Sequence, residues 1–450
     1  MPTIGIFTVG GSPDPIINAI KENNFDFIYF ICSSGSASIA SERLVDGSPQ
    51  RPDEKIIVKE CNLPRDKYEK ILLDIDIVDD VEEIFKNLEI KLIRDMNNRF
   101  PDKRNLEVIA NYTGGTKTMS VALALLSIFQ EGWKLQINTA TRSNVIKIER
   151  GDHPVFINKI QLLYRLEKKE FDSLMSKYYY EEILERLRSY LRYEQLGSDT
   201  KKEILLLIDI MEAFISWDKF QHKDALDKLE TVFKAQPKDS PIKKNLTKYF
   251  LLLKKILGQM KPFHGYEKVI DLVYNAERRS AQERYDDALA RYYRAVEMVA
   301  QYRLKLAYEI DNSNIRCQEL SLVEEKLRKL SVNVDEAIRF LQLECNKNSE
   351  DGVLKLALTK SYELLGYLGD PIGKIYLERK GKILDCLKLR NNSILAHGTK
   401  PILKSDFEEV KEYFYGFIRD ALRAIGIEIE KPGNFPQFPK NLAEIGLGGI

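Results

Sequence analysis

Near its C-terminus the chain reads Leu389-Arg390-Asn391-Asn392-Ser393-Ile394-Leu395-Ala396-His397-Gly398. An arginine and a histidine brought side by side suit phosphoryl chemistry without a metal. The histidine moves a proton, and the guanidinium stabilises charge on the phosphorus centre. RNA supplies its own nucleophile for such a step, the 2′-hydroxyl. On a continuous helix the offset from Arg390 to His397 is nearly two turns, which puts both on one face. A plainer reading stands beside this one. A histidine before Gly398 is often only a C-terminal cap, and Asn391 or Ser393 a helix-start residue. The other histidines are His153, His222 and His264. A multi-histidine metal site would need most of the four, so no metal centre is expected.

Two further segments carry binding chemistry. Thr8-Val9-Gly10-Gly11-Ser12-Pro13-Asp14-Pro15 follows one apolar run, and Tyr112-Thr113-Gly114-Gly115-Thr116-Lys117-Thr118 follows another. Glycines let a backbone approach a ligand closely, and hydroxyls and a lysine suit phosphate or ribose. Pro13 or Pro15 can open a helix whose first N–H groups face an anion. Neither segment has the spacing of a dinucleotide fingerprint or a P-loop. One such turn is as readily a simple strand-to-helix connection. Two in one sheet point to a phosphate-rich ligand. Ser33-Ser34-Gly35-Ser36 is a third candidate of the same kind, or a polar loop.

These segments need elements to hold them. The runs Ile4–Val9, Phe27–Cys32, Lys55–Val58, Leu106–Asn111, Leu135–Ala140 and Val145–Ile148 read as strands. Val78–Met96 has helical periodicity, and Thr118–Gln130 reads as a buried helix. Such alternation predicts an α/β domain with a mainly parallel sheet over residues 1–155, with ligands outside the carboxyl ends of its strands. Beyond it the texture is all-helical, with Tyr178–Arg192, Lys201–Trp217, Asp224–Phe233, Ile242–Leu257 and Tyr266–Ser280 as helices. Residues 266–351 contain neither Gly nor Pro. The segments around Phe220 and Tyr285 are similar to tetratricopeptide hairpins, without the period of about 34 residues that such an array shows. Ser405 and Glu408 form a capping box for a last helix. The expected division is 1–155, a helical linker domain 156–265, a helical domain 266–427 and an extended Pro/Gly-rich tail 428–450.

Composition limits the function classes. With 69 Lys+Arg against 68 Asp+Glu the net charge is +1, which excludes a histone-like mode of nucleic-acid binding and leaves room for a local basic groove. No run of about 18 apolar residues occurs, so no membrane span is expected. Met1–Phe7 reads as a strand, not a signal peptide. Five cysteines without a C-x-x-C pair fit reduced thiols in a cytoplasm.

The Gly10-Gly11-Ser12 element, together with Thr113–Lys117 opening a buried helix, resembles a CRISPR-associated Rossmann-fold (CARF) domain. The Arg390-Asn391…His397 segment, in an all-helical C-terminal region, resembles the signature of HEPN ribonucleases. The helix Tyr285–Leu304 is similar to that family's long core helix. Arg294 or Glu297 would then line the site. Alternatively the helix carries only surface pairs, such as Asp287 with Arg291.

The joint resemblance implies a cytoplasmic homodimer of type III CRISPR defence. Its activator would be cyclic tetra- or hexa-adenylate, with no other cofactor. The implied ligand contacts are Gly10, Gly11, Ser12, Ser34, Thr113, Gly114, Gly115, Thr116 and Lys117. The implied activity is metal-independent cleavage of single-stranded RNA, leaving a 2′,3′-cyclic phosphate. His397 would be general acid or base, Arg390 would hold the phosphate, and Asn391 would orient one of them. Two rivals are a sensor without nuclease activity and a toxin-type HEPN ribonuclease indifferent to the messenger.

Overall fold

A computed structural model of the chain describes residues 1–35, 40–102, 105–130, 132–139, 152–193, 196–261, 264–330, 334–396, 398–429 and 435–447. The chain forms two units. The first comprises residues 1–166 and 193–197, the second 167–192 and 198–450.

The first unit is built on six strands: β1 (Thr3–Thr8), β2 (Phe27–Ser34), β3 (Tyr68–Asp74), β4 (Glu107–Asn111), β5 (Lys134–Thr139) and β6 (His153–Ile157). Their order is β3-β2-β1-β4-β5-β6. All neighbours are parallel except β5 and β6. In β1 Ile4, Ile6 and Phe7 are fully buried, because helices cover both faces of a parallel sheet. The chain winds outward from β1 through β2 to β3, then crosses to β4 on the other side of β1. The reversal places the loops after β1 and β4 together at their carboxyl ends, where open α/β sheets bind ligands.

Several expectations change here. Lys55–Val58 is not a strand. Ile56 is extended, and a helical turn Ile57–Glu60 follows, burying Ile57. A run of three apolar residues, Ile56–Val58, carries no periodicity that separates the two states. β3 is concealed by the adjacent Glu69 and Lys70, which interrupt its apolar run, and β6 stands where no strand is expected. Val145–Ile148 lies outside the described residues. The helix expected over Thr118–Gln130 is α2 (Lys117–Phe129), following α1 (Asp14–Glu22). It buries Met119, Ala122, Leu123 and Leu126 but leaves Val121, Leu125 and Phe129 exposed, so it is not buried throughout.

The second unit is helical. Its described helices include α3 (Lys159–Ser176, which begins in the first unit), α4 (Tyr180–Tyr190), α5 (Ser198–Asp218), α6 (His222–Ala235), α7 (Pro241–Ile256), α8 (Glu267–Ala281), α9 (Tyr285–Tyr308), α10 (Leu358–Tyr367), α11 (Pro371–Asn391) and α12 (Lys404–Arg423). One turn recurs at α3–α4, α5–α6, α8–α9 and α10–α11. A left-handed residue, Tyr178, Phe220, Glu283 or Gly369, ends the first helix. Its N–H and the next one bond back to the preceding helix, as Phe220 N to Trp217 O (2.8 Å) and Gln221 N to Ser216 O (2.9 Å). The two segments similar to tetratricopeptide hairpins are two of these four turns, and their spacing is not constant.

The stretch without Gly or Pro is not one helical run. Asp311-Asn312-Ser313-Asn314 interrupts it, with Asp311 Oδ1 accepting from Ser313 N at 3.0 Å. Short polar side chains compete with the helix ladder as effectively as a breaker does. A two-stranded ladder then joins Ile315–Arg316 to Val353–Leu354. Cys317 and Cys345 are joined by a disulfide, which corrects the expectation of five reduced thiols; Cys32, Cys61 and Cys386 are free.

α9 runs through the core of this unit. Buried Asp370 ties its end to the start of α11: it caps Ile372 N (2.9 Å) and accepts from Arg303 Nε (2.6 Å) and Tyr308 Oη (2.8 Å). The segment read as an extended tail is packed down. Phe438 is buried among Tyr180, Phe214 and Trp217, with the Arg278 guanidinium 3.7 Å above its ring.

Candidate functional site

The two glycine loops of the first unit lock onto each other. Thr8 Oγ1 donates to Gly114 O at 2.6 Å. A Cβ on Gly10 would lie 2.7 Å from Gly115 N, and one on Gly114 would collide with Thr8 O. Gly115 has φ +83°, and its Cβ would meet Thr8 Cβ at 2.9 Å. These three glycines serve loop-to-loop contact. Gly11 is different: no atom lies within 4 Å of where its Cβ would be.

A polar network beneath the loops was not anticipated. Buried Asn111 Nδ2 donates to Gln136 Oε1 and Asn138 Oδ1, both at 2.9 Å. Asn138 N donates to Thr113 Oγ1 (2.7 Å), and its Nδ2 to Pro15 O (2.7 Å). The carboxyl ends of β4 and β5 are thereby tied to the start of α1. The signal was an amide at Asn111, Gln136 and Asn138 within otherwise apolar strands.

Several expected ligand groups already have structural partners. Thr116 Oγ1 caps α2 by accepting from Met119 N (3.1 Å) and donates to Val78 O (3.0 Å). Ser34 Oγ donates to Leu73 O at 3.2 Å. Pro13 is the N-cap of α1 and Pro15 lies in its first turn. Asp14 in that turn pairs with Lys55 at 2.6 Å, so a protein carboxylate stands at the helix start. Gly11, Ser12 and Lys117 are left facing outward at the switch point. Lys117 makes no ion pair among the described residues.

In the second unit Arg390 and Asn391 form the last turn of α11. The helix ends there. Ser393 N bonds to Arg390 O (3.1 Å), Ile394 N to Lys400 O (3.0 Å) and Gly398 N to Ser393 O (3.1 Å). The helix that carries Arg390 therefore stops at Asn391, and the continuous helix that the seven-residue spacing assumes is not formed. The polar run Asn391-Asn392-Ser393 closes the helix into a tight turn, and a Cβ on Gly398 would overlap Asn392 O. His397 itself lies outside the described residues.

Arg390 is half-buried. Its Cζ lies 4.4 Å from the centre of the Tyr293 ring on α9, and its Nη1 donates to Asn391 Oδ1 at 3.1 Å. Burial raises the Tyr293 phenol pKa and Glu297 raises it further, while Arg390 and Arg294 pull it down. Arg294, exposed one residue on, pairs with Glu297 at 2.5 Å and with Gln301 at 3.0 Å. Arg291 and Asp287 do pair, though not on a solvated face. Arg291 also reaches Asn275 on α8, making the pair part of a helix–helix seam. A half-buried cation at a helix end, stacked on an aromatic, can receive a phosphodiester. Among the described residues no group of His, Cys, Asp and Glu is placed to hold a metal ion, and no helix is long and apolar enough to cross a membrane.

Residues 258–420 match the family model of the Csm6 HEPN domain. The fold is similar to that of Enterococcus italicus Csm6 bound to cyclic hexa-2′-fluoro-hexa-dAMP, with a TM-score of 0.59 and 13% sequence identity over 94% of each chain. No curated protein matches the sequence. A parallel sheet with paired glycine loops thus precedes a segment that matches the Csm6 HEPN domain, in a chain whose fold is similar to that of Csm6.

Proposed function

We propose that the protein is a cyclic oligoadenylate-activated, metal-independent endoribonuclease that cleaves single-stranded RNA and works as a homodimer in type III CRISPR defence. The observation that carries this reading is Arg390 held over Tyr293 at the end of α11, seven residues before His397, inside the segment matching the Csm6 HEPN domain. Arg390 would bind the scissile phosphate and stabilise the charge that builds on it. His397 would take the 2′-hydroxyl proton or deliver one to the leaving 5′-oxygen. Asn391, hydrogen-bonded to Arg390, would fix the guanidinium.

Gly11, Ser12 and Lys117 supply the open side of the sensor loops for a phosphate-rich ring. The similar Csm6 structure holds a cyclic hexa-adenylate analogue, which makes that ring the first to test. Dimerisation is supported by the apolar stripe of α2. Val121, Leu125 and Phe129 recur at four-residue spacing and are 47%, 37% and 71% exposed. Such a stripe is usually covered by a partner. A messenger touching two copies at once would favour one arrangement of the dimer.

The test is an RNA cleavage assay with no activator and with cyclic tri-, tetra- or hexa-adenylate. Turnover that rises with one ring supports the reading. Turnover indifferent to every ring indicates a toxin-type nuclease, and binding without turnover indicates a sensor.

A further inference from the structure

Between Asp239 and Glu267 the sequence contains six lysines, Lys243, Lys244, Lys248, Lys254, Lys255 and Lys261, and no acidic residue. In a chain of net charge +1 this is a marked local excess. Five of the six belong to α7. Ile242, Leu246, Tyr249, Leu252, Leu253 and Ile256 turn to the core, so the lysines share the remaining face. None of the six has a carboxylate partner among the described residues. Elsewhere exposed helices mix signs, as in Arg328 with Glu324 and Lys329 with Glu325. A solvated face kept only for solubility would look like those.

Aromatic rings lie within this face. Phe250 of α7 stacks on Phe233 of α6 with centroids 4.8 Å apart and planes at 22°. Both are half-buried. Lys243 Nζ lies 5.8 Å from the Phe233 ring and Lys254 Nζ 4.6 Å from the Phe250 ring. Lys243 Nζ also donates to Phe233 O at 3.1 Å. Cations without carboxylate partners along a helix of about 24 Å, interleaved with partly open rings, are the two components of a single-strand binding surface. Cations follow the phosphates, and rings accept bases whatever their identity. An acidic membrane fits less well, because the apolar face of α7 is already buried and cannot insert.

We propose that the outward face of α7 binds single-stranded RNA through its backbone, as a substrate-holding surface apart from the Arg390 turn. The inference rests on the ribonuclease reading only for the choice of polyanion. The test uses full-length protein carrying His397→Ala, with and without the triple change Lys244→Gln, Lys248→Gln and Lys255→Gln. Anisotropy of a short, unstructured, fluorescein-labelled RNA is followed across a salt series. The triple change should weaken binding about tenfold at low salt. It should flatten the slope of log K against log salt by about 2, at roughly 0.7 per lost phosphate contact. In the background that keeps His397, KM for RNA should rise with kcat unchanged.

Unchanged affinity and slope, or no RNA binding at all, overturns the proposal. So does equal loss of binding to phosphatidylserine vesicles or polyglutamate, which would make the face a general anion surface. If wild-type protein never cleaves RNA, the ribonuclease reading fails, while the anisotropy result still decides this one.

Discussion

The guanidinium of Arg390 sits 4.4 Å above the ring of Tyr293, joining the last turn of α11 to the middle of α9. The side chain that would meet the phosphate is thus aimed by a ring on a different helix. An exposed cation–π contact is worth about 0.5–1 kcal/mol, and a desolvated one about 2. Tyr293→Ala should lower kcat for RNA by about two- to thirtyfold with the fold intact. Tyr293→Phe, which keeps the ring, should restore most of it. Equal loss in both variants would point to the phenol group, and no loss in either would separate Tyr293 from the site.

The loops after β1 and β4 separate glycines of contact from a glycine of access. Gly114→Ala drives a methyl into Thr8 O and should cost about 1–3 kcal/mol of stability, seen in urea unfolding. Gly11→Ala should leave stability within about 0.5 kcal/mol and still weaken cyclic hexa-adenylate binding. Lys117→Ala should reduce that affinity by about ten- to a hundredfold, as expected for a charge-assisted phosphate contact of about 1.5–3 kcal/mol. Calorimetry on each variant checks this; unchanged affinity for Gly11→Ala and Lys117→Ala would remove both from the ligand site.

Glu107 of β4 pairs with Lys134 of β5 at 2.5 Å, and this hydrogen bond holds its carboxyl below the usual carboxylate range, with burial opposing. A depressed folded pKa contributes stability above the unfolded value of about 4.3. That contribution is lost as pH falls through the lower folded value. Glu107→Gln should therefore be less stable than wild type at neutral pH, by about 1 kcal/mol or less for a partly exposed pair. The difference should shrink steadily below about pH 4. A difference that is constant with pH would mean that the charge plays no part.

How far the fold could be read from sequence depended on range. The Gly-rich turns after β1 and β4 and the apolar strands before them are local features, and the parallel sheet followed from them. β3 was hidden because Glu69 and Lys70 broke its apolar run. The Asn111–Gln136–Asn138 network joins residues far apart in sequence, so only the register of β4 with β5 reveals it. The end of α11 escapes the sequence for a related reason. Seven-residue spacing assumes a continuous helix, whereas the chain at Ser393 is turned by bonds to residues as distant as Lys400. Phe438 and its neighbours lie among Pro and Gly that suggested a loose tail, and only the aromatic cage of Phe214 and Trp217 makes them core.

Asp370 is an accepting centre for three donors at the α9–α11 junction. Asp370→Ala would leave Arg303 and Tyr308 without their carboxylate. Because Arg303 is partly exposed, the cost should fall near the lower end for a broken buried pair, about 3 kcal/mol. Urea unfolding of the full chain followed by circular dichroism should show an earlier helical transition. An unmoved midpoint would mean that the junction is held by the apolar core alone.

The chemistry of the cleaved ends tests the proposed reaction most directly. Single-stranded RNA is incubated with the protein, cyclic hexa-adenylate and excess chelator, and the termini are identified by mass spectrometry beside His397→Ala and Arg390→Ala. Wild type should leave 2′,3′-cyclic phosphate and 5′-hydroxyl ends at an undiminished rate, and either variant none. Cleavage that stops with chelator, ends carrying a 5′-phosphate, or full activity in His397→Ala would contradict that reaction.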